Sequence, residues 1–169
     1  MNIGKILSRK PVTVLASEPL SSAARLMCDR HVGALVVVSE PAERPTPVGV
    51  ITDRDVVRAQ LAHRADLMML NVERAMTRDP LLLGLETPLE SAVEQLRARG
   101  VRRCPVVDAR GGLVGMVTTD DIVTALAIEL GGLARLIRDQ PLHEPELGRR
   151  AEPLHNASMP APPHPGGRA

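Results

Sequence analysis

The feature that most constrains this chain is an internal repeat. Shifting the 169-residue sequence by 69 positions lays one half on the other. Pro11 falls on Pro80, Pro19 on Pro88, Leu20 on Leu89, Ala23 on Ala92, Arg30 on Arg99, Val32 on Val101, and Val37 and Val38 on Val106 and Val107. Further along the offset becomes 66, with Gly49 on Gly115, Thr52 on Thr118 and Asp55 on Asp121. The three-residue difference falls in the Pro-rich stretch 41–47, opposite the short turn 108–112, where a surface loop absorbs length.

Each copy reads strand, helix, strand, strand, helix. In the second copy, 81–83 is a short buried strand. Thr87, Pro88 and Glu90 then predict a helix start with Thr as N-cap, Pro at the first helical position and Glu closing a capping box. Leu89, Ala92, Val93 and Leu96 recur at helical spacing and form one apolar stripe. Leu20, Ala23, Ala24 and Met27 repeat it in the first copy, where Glu18 replaces Thr87 and Ser17 is the substitute cap. The β-branched runs 34–38 and 105–107 read as the next strands, 48–52 and 113–118 as the third, and 53–62 and 120–130 as closing helices. Gly131 and Gly132 either end the last helix or interrupt it before a further helical stretch, 133–138.

The chemistry-bearing residues sit where each third strand meets its helix. Gly49-Val50-Ile51-Thr52-Asp53-Arg54-Asp55 and Gly115-Met116-Val117-Thr118-Thr119-Asp120-Asp121 share one pattern: Gly, two apolar residues, Thr, two variable residues, Asp. Glycine permits close approach to the strand. The Thr opens a helix whose free N–H groups and positive dipole end suit an anion. The Asp, three residues on, lies near the Thr and can accept hydrogen bonds from two adjacent ribose hydroxyls. A phosphate-and-ribose grip is one reading. The other is a helix cap inherited twice with the fold.

Composition removes several classes. There is no Phe, Tyr or Trp, so a bound base would rest between aliphatic groups, and the stacking platforms of single-strand binders are excluded. Net charge is +1, which gives no reason to expect nucleic acid or an anionic membrane as partner. Cys28 and Cys104 are too few for a disulfide framework, and both read as small apolar groups. The start, MNIGKILSRK, lacks an apolar signal core, and no aliphatic run approaches the ~18 residues of a membrane span. A soluble, cytoplasmic protein is expected. The five His residues form no metal-ligand spacing, and no nucleophile–base–orienter set, Walker loop or GxGxxG is present, so neither a metal site nor an enzyme is expected. His31 precedes the second strand; it reads as an exposed helix-end residue, with contact to a ligand as the alternative.

The sequence resembles a tandem pair of CBS domains, also called a Bateman module. The resemblance covers about residues 2–131. It rests on Pro11-Val12-Thr13-Val14, the run from Val32 to Val38 and the first Gly–Asp motif, then on Val72-Glu73-Arg74-Ala75-Met76-Thr77, Val101-Arg102-Arg103-Cys104-Pro105-Val106-Val107 and the second motif. It implies an α/β (α+β) fold of two β-α-β-β-α repeats about a pseudo-two-fold axis. Repeat 1 would span 1–62, a linker 63–71 and repeat 2 72–131. A short helical extension and a mobile Pro-rich tail, 132–169, would follow; residues 139–169 hold 7 of the 15 prolines.

The resemblance further implies two clefts that bind an adenosyl ligand: AMP, ADP, ATP or S-adenosylmethionine. A Mg²⁺ would come only with a nucleotide, beside Asp120-Asp121. Thr52 with Asp55 and Thr118 with Asp121 would hold phosphate and ribose, and Thr13 would flank the base. Cys104 and Pro105, in the strand-entry segment of repeat 2, would help complete a cleft. Arg102 and Arg103 give repeat 2 a forked phosphate ligand where repeat 1 has Gly33 and Ala34. The expectation is therefore a regulatory sensor, with a phosphorylated nucleotide preferring the repeat 2 cleft. A homodimer and an unidentified target protein are the expected partners. The rival expectation is an interaction or oligomerisation scaffold whose clefts have lost their ligand.

Overall fold

The computed structural model describes residues 1–7, 11–39, 43, 45–63 and 67–139. Parts of the expected linker and of the 41–47 loop, and the tail from 140 onward, lie outside the described residues. Residues Met1–Ile128 form one compact unit, and the described part of a second is the helical stretch that begins at Glu129.

Repeat 1 builds β1 (Thr13–Leu15), α1 (Leu20–Arg30), β2 (Ala34–Val38), β3 (Pro47–Thr52) and α2 (Asp53–His63). A short helix, α3 (Val72–Ala75), and a two-residue strand, β4 (Thr77–Arg78), lead into repeat 2. Repeat 2 builds β5 (Leu83–Gly84), α4 (Leu89–Arg99), β6 (Arg103–Val107), β7 (Leu113–Thr118) and α5 (Thr119–Asp139). β5 starts two residues later than the run 81–83 predicts, and Gly131 and Gly132 do not interrupt α5.

The strand patterns explain the layers. β2 is buried at all five positions and lies between β1, parallel, and β3, antiparallel. β3 alternates buried and half-buried residues, so one of its faces packs on the helices. β6 holds the same central place between β5 and β7. Three of the four residues in each predicted stripe are buried, Leu20, Ala23 and Met27 on α1 and Leu89, Ala92 and Leu96 on α4, whereas Ala24 is half-buried and Val93 is exposed.

The predicted α4 capping box does not form. The helix begins one residue later, with Pro88 at the N-cap and no side-chain cap bond. Thr87 instead accepts a hydrogen bond from the Gly84 N–H at 3.1 Å, closing the turn before the helix. Glu18 does a related job in repeat 1, accepting from the Leu15 N–H at 3.2 Å. The helix C-termini match: His31 (φ 51°) and Gly100 (φ 65°) both take the left-handed conformation that stops a helix.

The segments preceding each repeat are exchanged. Ile3, in a 3-10 turn over Ile3–Lys5, is fully buried in the repeat 2 core with Leu83, Leu89 and Val117. Val72 is fully buried in the repeat 1 core with Leu20, Leu35 and Ile51. The backbone bonds obey the same shift of 69. Ile3 N–H donates to Thr87 C=O at 3.0 Å, and Val72 N–H to Glu18 C=O at 2.9 Å. Leu89 N–H donates to Met1 C=O at 3.0 Å, and Leu20 N–H to Leu70 C=O at 2.7 Å. The motif glycines serve this exchange. A Cβ on Gly49 would sit 2.6 Å from Met76 Sδ and 2.9 Å from Thr77 O; one on Gly115 would sit 2.9 Å from Leu7 Cδ2. What approaches each strand is the chain's own lead-in.

Candidate functional site

Each closing helix starts at the motif Thr, and the Thr and Asp cap it reciprocally. Thr52 donates to Asp55 Oδ2 from its hydroxyl at 2.7 Å and from its N–H at 2.9 Å, and Asp55 N–H donates to Thr52 Oγ1 at 3.3 Å. Thr118 and Asp121 repeat the three bonds at 2.7, 2.9 and 3.2 Å. A backbone bond then ties the first helical turn to the start of the neighbouring strand: Asp53 N–H to Gly33 C=O at 3.3 Å, and Thr119 N–H to Arg102 C=O at 3.0 Å. These bonds hold the α2 N-terminus beside the start of β2 at Gly33 and the α5 N-terminus beside the start of β6, where the Arg102–Arg103 pair sits.

Two clefts lie there, and each takes parts from both repeats. The first, about 550 Å³, combines Pro80, Leu81 and 99–103 of repeat 2 with Val50, Thr52, Asp53 and Arg54 of repeat 1. Thr118, Thr119 and Asp120 complete it. The second, about 260 Å³, combines Pro11, Val12 and 31–34 of repeat 1 with Met116, Thr118, Asp120 and Asp121 of repeat 2. Arg103 also lines it. A third hollow, about 670 Å³, shares Arg78, Asp79, Pro80 and Arg99 with the first cleft.

The two clefts differ in charge. The first brings five arginines (54, 78, 99, 102 and 103) against three aspartates (53, 79 and 120). Arg78 is also 2.8 Å from Glu73, an exposed pair that contributes little to stability. The second cleft has Arg103 and His31 against Asp120 and Asp121. Val50, Leu81 and Val101 give the first cleft aliphatic walls.

The structure brings together Thr52, Arg102, Arg103 and Thr118 in the first cleft, and Arg103, Thr118 and Asp121 in the second. Asp55 sits behind Thr52 in the cap, and Thr13 lies on β1; neither lines these cavities. Cys104 and Pro105 are fully buried beneath the wall. The Cys104 thiol donates to Leu81 C=O at 2.9 Å, and burial pushes its pKa up to about 12. Sequence reasoning missed Asp53, Arg54, Arg78, Asp79 and Arg99. Their signal was weak, because each lies outside the repeated Thr and Asp positions. His31, read as an exposed helix end that could also contact a ligand, is exposed and lines the second cleft.

His31 and Asp79 are the described non-glycine residues with positive φ, 51° and 48°, and each borders a cleft. Among the described residues no three or more His, Cys, Asp or Glu side chains are grouped as a metal site, and no helix is long and apolar enough to cross a membrane.

The sequence matches the CBS domain family over residues 3–62 and 72–128. It is 28% identical over 123 residues to the uncharacterized protein MK0525 of Methanopyrus kandleri, covering 73% of this chain and 61% of that protein's length. The CBS domain pair of protein MJ0100, in complex with 5′-methylthioadenosine and S-adenosyl-L-methionine, is 25% identical with a TM-score of 0.65, covering 76% of this chain and 98% of that one. The CBS domain protein PAE2072 from Pyrobaculum aerophilum, complexed with AMP, is 25% identical with a TM-score of 0.66, covering 76% and 99%.

Proposed function

The chain belongs to the CBS-domain family, and from that premise we propose that it is a regulatory sensor of an adenosyl nucleotide rather than an enzyme. One observation carries the reading. The 550 Å³ cleft sets a helix N-terminus, a cluster of arginines and aliphatic walls around a space of small-ligand size. A helix N-terminus and arginine forks suit phosphate, and aliphatic walls suit a base where no aromatic residue exists to stack on it. The solved pairs that bind AMP, S-adenosylmethionine and methylthioadenosine support the ligand class. The arginine excess favours AMP, ADP or ATP in the first cleft. The second, with more carboxylate than guanidinium, suits an adenosyl ligand without phosphate.

The ligand would act by its difference in affinity between two packings of the repeats or of an assembly. A second copy of the chain and a separate target protein are the proposed partners. Val57 and Leu61 on α2 and Val123 on α5 are 58%, 73% and 64% exposed, and these apolar side chains are the proposed contacts for the second copy.

The test is direct. The protein has no aromatic chromophore, so absorbance at 260 nm in the purified protein reports a retained nucleotide. Calorimetry with AMP, ATP, adenosine and S-adenosylmethionine then identifies the ligand. Arg102→Ala with Arg103→Ala is expected to weaken ATP about 10- to 100-fold, the loss of a charge-assisted bond worth ~1.5–3 kcal/mol, and to leave adenosine nearly unchanged. Equal losses for both would refute the phosphate assignment. The second reading, a ligand-free scaffold, rests on the Thr–Asp caps, which already occupy the polar groups expected to grip a ribose. Absence of heat with every adenosyl compound would establish it.

A further inference from the structure

Arg103 lines both clefts. Its place in β6 corresponds to Ala34 in β2, since Arg103 pairs with Thr118 as Ala34 pairs with Thr52. Its side chain reaches across to the other repeat. A Cβ built on Gly33 would lie 3.3 Å from Arg103 Nη1, 3.5 Å from Nη2 and 3.3 Å from Asp53 Oδ2. A side chain at position 33 would crowd the guanidinium, and Gly33 leaves it room. The first cleft has four other arginines, but Arg103 is the one arginine lining the second among the described residues.

We propose that Arg103 couples the two clefts negatively toward phosphorylated ligands. This rests on the reading of the clefts as nucleotide sites. The guanidinium is a planar fork that grips one phosphate in a bidentate way. A phosphate in the first cleft draws the fork off Gly33, and the second cleft is left with Asp120 and Asp121 and no guanidinium. A phosphorylated ligand there binds more weakly as a result, and by linkage it weakens the first cleft equally. A ligand without phosphate makes no claim on the fork, so the second cleft still accepts it. The asymmetry follows from one repeat having Arg103 and the other Ala34 at the same register.

Met116 lines the second cleft and neither of the other two cavities, so its ¹³C-labelled methyl, assigned with Met116→Leu, reports AMP there. Arg102 and Arg54 line the first cleft and not the second, so removing either weakens the first. In the full-length chain, Arg102→Ala is expected to tighten AMP at Met116 about fivefold or more, within the range of ordinary coupling. Simple loss of a nearby positive charge would do the opposite. With Arg103→Ala already present, Arg102→Ala is expected to leave the Met116 titration unchanged. Arg54→Ala, on a different element, repeats the test. Unchanged or weaker binding in Arg102→Ala overturns the coupling, as does tightening that persists without Arg103 or a Met116 signal that never responds to AMP. If calorimetry still registers AMP in that last case, the coupling alone falls. If it registers nothing, the sensor reading falls with it.

Discussion

Thr52 with Asp55 and Thr118 with Asp121 show how one pair of side chains serves two purposes. Each pair satisfies the first turn of its helix, and Thr52 and Thr118 also border the first cleft. Thr118→Ala is therefore expected to cost about 0.5–2 kcal/mol of stability in urea unfolding without any ligand present. A variant as stable as the parent would mean the cap is idle. Cys104 is a simpler residue. Its thiol is fully buried and its pKa is raised from 9.0 to about 12 by desolvation, so native protein stays unalkylated at Cys104 while exposed Cys28 reacts. The raised value also fixes a sign. The folded state favours the neutral thiol, so that stability is present below pH 9.0 and lost as pH rises toward 12, where the unfolded chain ionises first. Thermal melts over this interval are expected to fall, and Cys104→Ala is expected to flatten the fall.

At the scale of elements, the exchanged lead-ins dominate. Ile3→Ala is expected to cost about 2–5 kcal/mol, because the residue is fully buried in a core it reaches from the far end of the chain. Gly49 and Gly115 separate two kinds of crowding. A methyl at Gly49 meets backbone oxygen at 2.9 Å, whereas one at Gly115 meets only the flexible end of Leu7. Gly49→Ala is thus expected to destabilise by about 1–3 kcal/mol, and Gly115→Ala by less, in parallel denaturation curves. The helices and central strands were legible because their apolar spacing is strong: Leu20, Ala23 and Met27 are buried as the stripe predicts. The motif glycines announced a close approach but not what approaches. The exchange of Ile3 and Val72 was hidden, because two isolated aliphatic residues carry no periodicity and their partners lie far away in sequence. The α4 cap failed for a local reason: Thr87 met the Gly84 N–H before it could meet the helix.

For the whole molecule, the pseudo-two-fold arrangement makes the clefts hybrids, and the repeat in the sequence did not reveal that. Each copy displays its own Thr–Asp motif, yet the arginines of repeat 2 face the Thr of repeat 1. The difference in charge between the clefts was partly readable from Arg102 and Arg103 against Gly33 and Ala34. The sharing of Arg103 was not, since it depends on a side chain crossing the dyad. At this scale the proposed self-association through α2 and α5 is tested by light scattering: Leu61→Asp with Val123→Asp is expected to lower the mass of the proposed dimer to that of a monomer, and an unchanged mass would remove these residues from the assembly. The exchanged lead-ins also bear on how such a gene can be cut. A fragment ending before Leu67 carries a plug for a socket it does not possess and a socket whose plug it lacks. Half the gene does not encode half the protein, and the two fragments, co-expressed, would be expected to rescue each other by trading plugs.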